Sequence, residues 1–164
     1  MHDIISNLDF KGWVHFIAAN LSLITGTYII LTKKGTRIHK IVGYSYVISM
    51  IVVLVTSFII YRLFNGFGIF HAFACVSTLA LLGGMLPMLK KNRTIKDLKQ
   101  HSEVMGWSVV GLYCAFISET CSRLRFDHAM IVLGVGCGLT CFMGSKLIKK
   151  SLEKYYPRIN DKLS

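Results

Sequence analysis

The sequence predicts an all-α integral membrane protein, five transmembrane helices in a single domain spanning 1–164. Two features carry that prediction. Of the 164 residues 53% are hydrophobic, and the mean hydropathy of +0.53 is too high for an ordinary soluble domain. The apolar residues also fall into evenly spaced runs at 12–32, 42–64, 67–89, 104–122 and 129–148. Each run is about 20 residues, enough helix to cross roughly 30 Å of hydrocarbon. They are too long and continuous for barrel strands, and in lipid a helix satisfies its own backbone.

Each element follows in turn. Helix 1 (12–32) ends at a loop holding Lys33, Lys34, Arg37 and Lys40, and helix 2 (42–64) returns from it. Helix 3 (67–89) carries Pro87 near its end, where proline terminates or kinks a helix. It leads into Lys90, Lys91, Arg93, Lys96 and Lys99. Helices 4 (104–122) and 5 (129–148) follow, and a basic tail (149–164) closes the chain. With Lys146, these segments hold 15 of the 19 basic residues, all on one side if five helices alternate. The positive-inside rule then puts the N-terminus outside and the C-terminus in the cytoplasm, in an inner cell membrane. The net charge of +11 is therefore read as a topology signal, with no nucleic-acid partner expected. "MHDIISNLDF" lacks the basic start of a cleavable leader. In helix 5, Gly134 with Gly138 and Gly136 with Thr140 form small-xxx-small pairs that let helices approach closely, against this chain or a second copy. The five cysteines sit in apolar runs without a C-x-x-C and read as packing residues.

Helices 1–2 and 3–4 resemble two copies of one hairpin. "VHFIAANLSLITG" aligns with "FHAFACVSTLALLGG", and each continues through a Lys-Lys pair to a histidine and a Gly-aromatic-Ser (Gly43-Tyr44-Ser45, Gly106-Trp107-Ser108). Such parallel repeats build a four-helix bundle with diagonal helices meeting in the core. His15 and His71 would form an outer pair, His39 and His101 an inner pair. Helical steps from His15 reach Ala18, Ala19, Ser22 and Gly26; those from His71 reach Ala74, Cys75 and Thr78. These small stripes leave room for a flat cofactor or for tight helix packing. Singly, His39 and His101 also suit an interfacial, lipid-facing role. Imidazole is the usual axial ligand of low-spin haem, so two bis-histidine sites would result. Without C-x-x-C-H the group would be haem b, one or two per chain. Zinc is the alternative, held by His15, His71 and Glu119, with Asp127 and His128 nearby in sequence. Glu119 otherwise pairs with Arg123 one turn on, or accepts protons.

The stretches "KGTRIHKIVGYSYVISM", "FHAFACVSTLALL" and "HSEVMGWSVVGL" resemble a bacterial family of membrane proteins of unknown function. Its H-[KR]-x-x-G-x-x-Y motif is matched by His39, Lys40, Gly43 and Tyr46. That resemblance implies a membrane fold and no activity. The histidine arrangement is also similar to the ascorbate-reducible transmembrane cytochromes b. That likeness implies haems between His15 and His71 and between His39 and His101, though this chain has five helices and no ascorbate-site motif.

Three functions are expected from these residues. The first is a transmembrane b-type cytochrome taking electrons from a quinol or an anionic donor at the basic loops, with Glu119 handling protons. The second is a zinc-dependent intramembrane hydrolase. The third is a non-catalytic accessory subunit in the lipid bilayer, with a homo-oligomer through helix 5 open to any of them.

Overall fold

The structure, a computed structural model, describes residues 9–59, 69–124 and 129–156. Among the described residues five helices follow one another: α1 (Phe10–Leu31), α2 (Arg37–Ile59), α3 (Ile69–Leu89), α4 (Ile95–Leu124) and α5 (Ala129–Tyr155). All five are long and apolar enough to cross a membrane. Three of them extend five or more residues beyond their apolar runs. α2 starts five residues before its run, α4 nine before, and α5 continues through Lys149, Lys150 and Lys154. Hydrophobicity marks the part that meets lipid, whereas the helix itself ends where its backbone is capped.

The caps are specific. Asp9 accepts from the Gly12 N–H at 3.0 Å to start α1. At its other end the Lys34 ammonium donates to the Ile29 carbonyl at 2.6 Å, a cation on the negative pole of the helix. Gly35 then takes φ +76°, a left-handed conformation that turns the chain, and Thr36 caps α2 by accepting from the His39 N–H at 3.1 Å. Thr94 and Asp97 form the corresponding box at the start of α4, and Lys90 pairs with Asp97. The two Lys-Lys loops thus lead to equivalent caps. His39 follows its cap by three residues and His101 by seven, so His101 sits one turn deeper into its own helix.

The chain groups into two compact units, Met1–Thr78 and Leu79–Ser164. In the first, α1 and α2 pack antiparallel. Ser22 donates to Ser49 at 2.7 Å, both buried, and seven residues along each helix His15 meets Thr56. The two contacts, seven residues apart on both helices, lie along one seam. The small residues after His15 lie on it: Ala18, Ser22 and Gly26 are buried, facing Tyr46, Ser49, Met50 and Val53 of α2 in the same core. At Ser22 that stripe therefore serves close helix packing.

In the second unit α4 and α5 pack antiparallel at close range. A Cβ at Gly144 would lie 2.3 Å from Val110 Cγ2, and one at Gly106 would lie 2.7 Å from Ile148 Cγ1. Gly136 faces Ile117 on the same seam, whereas Gly134 and Gly138 have nothing within 4 Å. The two small-residue pairs of helix 5 thus separate: one packs on α4, the other lies open. Along all the helices, hydroxyls bond back to carbonyls one turn earlier, as Thr25 does to Leu21, Ser118 to Cys114 and Thr140 to Gly136. These three are thereby satisfied without water.

Candidate functional site

The four histidines are placed by different devices. His15 is held through Nδ1, 2.8 Å from Thr56 Oγ1. The Thr56 hydroxyl donates its own hydrogen to the carbonyls of Val52 and Val53, at 2.7 and 3.0 Å. With that hydrogen on its own helix the oxygen accepts, and His15 Nδ1–H is then the donor. In the neutral ring this leaves the lone pair on Nε2.

His101 reaches the same state by another route. Its Nδ1 lies 2.8 Å from the Gly84 carbonyl oxygen, which can only accept, so Nδ1 carries the hydrogen here too. Beside it Gln100 donates to the Gly83 carbonyl at 3.2 Å. That carbonyl is available because Pro87, four residues on and inside α3, has no N–H to give it. Gly84 also lets α4 come close, since a Cβ there would lie 2.6 Å from Met105 Sδ. Pro87, expected as a terminator or kink, thus frees an acceptor and the helix runs on to Leu89.

His71 is 4% exposed, the most enclosed of the four, with its ring centroid 6.3 Å from that of Phe58. Its Nε2 is shut off from solvent, as is Nδ1 of the half-buried His39. Thr56 and Phe58 are two residues apart on α2, about 3 Å along its axis. His15 and His71, both in the first unit, therefore neighbour α2 at nearly the same height, from Thr56 and Phe58, which lie about 200° apart around the helix. Glu119, in the second unit, is half-buried on α4. The side chain of Arg123, and all of Asp127 and His128, lie outside the described residues. Among the described residues no three His, Cys, Asp or Glu side chains converge to hold a metal ion.

The two Gly-aromatic-Ser motifs differ in use. Gly43 is open and Gly106 packs on Ile148, but Tyr44 and Trp107 both point outward, 63% and 42% exposed. Outward aromatics near the charged ends of apolar helices are membrane-interface anchors. Sequence reasoning missed Thr56 and the Gly83-Gly84 carbonyls. Their only signal is Pro87 four residues after Gly83, and a hydroxyl seven after Ser49.

A family model described as "Predicted membrane protein (DUF2306)" matches residues 12–147. The chain belongs to that family. The DUF2306 match spans the first four helices and most of α5, so the five apolar helices are those of a multi-pass membrane protein. No curated protein and no solved structure matches the chain.

Proposed function

We propose that this DUF2306 protein is a b-type membrane cytochrome, with haem held by histidine Nε2 atoms. The observation that carries the reading is the partner that Nδ1 of both His15 and His101 finds, a threonine oxygen and a backbone carbonyl. Metal-ligating histidines characteristically donate their other ring N–H to a carbonyl or comparable acceptor, which orients the ring and raises its basicity. Two of the four histidines here have such a partner at Nδ1. His15 and His71, on one level of α2, are the ligands of the first haem. His101 and His39 are the ligands that the sequence spacing offers for a second.

A bis-histidine haem supplies one-electron transfer. The protein's part is to hold two imidazoles in apolar surroundings and to keep water out. A membrane quinol is the donor class that fits this setting, and the basic loops suit an anionic donor. Glu119, an acid within an apolar helix, is the proton acceptor. The basic residues support an N-out, C-in orientation in the inner membrane, and the open Gly134–Gly138 face supports self-association through α5.

Haem content of the purified full-length protein tests this. His15→Ala and His71→Ala should each remove a haem, because the small residues around them cannot ligate iron. His39→Ala should remove a different one. Haem content unchanged in both His15→Ala and His71→Ala would defeat the assignment.

A further inference from the structure

Three of the five cysteines meet on the seam between α4 and α5. Cys114 Sγ lies 3.9 Å from Cys141 Sγ and 4.0 Å from the Cys137 carbonyl oxygen. The Cys137 thiol in turn donates to the Cys114 carbonyl at 3.8 Å. Cys114 and Cys141 thus present two sulfurs to each other from facing helices, near the middle of both apolar runs. Cys141 is exposed on the side of the hairpin and Cys114 is half-buried, so the pair can be reached from the bilayer.

The pair also selects a kind of ligand. Zinc wants four ligands, or three and a water; the Cys137 thiol is turned to the Cys114 carbonyl, and among the described residues no three His, Cys, Asp or Glu side chains are placed to hold a metal ion. Two soft sulfurs in an apolar setting suit a soft cation content with two ligands, which is cuprous ion. Two metal–sulfur bonds of about 2.3 Å in line would set the sulfurs about 4.6 Å apart. The observed 3.9 Å needs only a small side-chain rotation to reach that.

We propose that Cys114 and Cys141 form a two-coordinate cuprous-ion site between α4 and α5. On binding, the S–H bond of one cysteine breaks, its proton passes to the aqueous phase, and a copper–thiolate bond forms. The second sulfur donates a lone pair and keeps its hydrogen. Copper stays cuprous, no electron moves, and one positive charge replaces another. The loaded site is neutral, as an apolar interior requires.

The test is anaerobic titration of the full-length protein with cuprous ion against a chromogenic cuprous chelator. A second tethered ligand strengthens binding by about 10²–10⁴. Cys114→Ala and Cys141→Ala should therefore each bind about a hundredfold more weakly or worse, while Cys75→Ala and Cys121→Ala match the wild type. X-ray absorption at the copper edge of the loaded wild type, which needs no variant, should show sulfur neighbours only. A wild type that takes up no copper, undiminished binding in Cys114→Ala or Cys141→Ala, or a shell of nitrogen or oxygen would overturn the proposal.

Discussion

Thr56 carries one hydrogen, and that hydrogen is given to its own helix. What remains is an acceptor aimed at His15, which is why so small a residue can fix a ring. Thr56→Val keeps the shape and removes the acceptor. If His15 ligates haem through Nε2, the substitution should weaken haem retention about 10- to 100-fold, the usual effect of losing a partner one bond behind a metal ligand. Haem titration of the apoprotein measures this. Thr25→Val is the control, since the Thr25 hydroxyl serves only carbonyls of α1 and should leave retention unchanged. The histidines were legible in the sequence because rare polar groups stand out in apolar runs. Thr56 was not, because its role depends on the register between two helices, which no single run encodes.

At the scale of the helix, apolar runs located all five elements but missed where α2 and α4 begin and how far α5 continues. The runs stop at the first charges, but Thr36 and Thr94 cap the backbone earlier in the chain, so α2 and α4 begin among charged residues. Glycine pairs in α5 were visible, but which face packs was not, since both have the same spacing. Gly144→Val would place side-chain atoms where Val110 already sits and should cost about 1–3 kcal/mol, the range for overpacking. Gly138→Ala, with open space beside it, should stay within about 0.5 kcal/mol. Reversible denaturant unfolding in mixed micelles separates the two.

Lys34 tests the end of α1. Burial holds its ammonium down at about 8, from an ordinary 10.5. Below pH 8 both states are charged, and the folded one bears the desolvation cost in full. Between about 8 and 10.5 the unfolded state binds more protons, so stability should rise with pH across that window and level off above it. Lys34→Met should flatten this part of the profile in an unfolding series run at fixed ionic strength. A wild-type profile that falls from pH 8 to 10 would show that Lys34 is not desolvated.

For the whole molecule, the charge pattern predicts a direction as well as a fold. A membrane-impermeant thiol reagent on intact cells should label Lys11→Cys from outside and Lys96→Cys only after permeabilisation, in a background lacking the native cysteines. The opposite pattern would invert the orientation and move the basic loops away from the cytoplasm. Fold and membrane class were readable because bilayer thickness and backbone hydrogen bonding leave few alternatives. Chemistry was less readable. Four histidines at alternating ends suggest ligands, but only the Nδ1 partners of His15 and His101 point to Nε2 as the ligating nitrogen. The central claim is that this nitrogen meets haem iron, and the most direct measurement is the visible spectrum of the full-length protein purified from haem-replete cells. The account predicts a Soret band that shifts on dithionite reduction, with sharp α and β bands, lost in His15→Ala/His101→Ala. A folded, colourless wild type that takes up no added haem would contradict it.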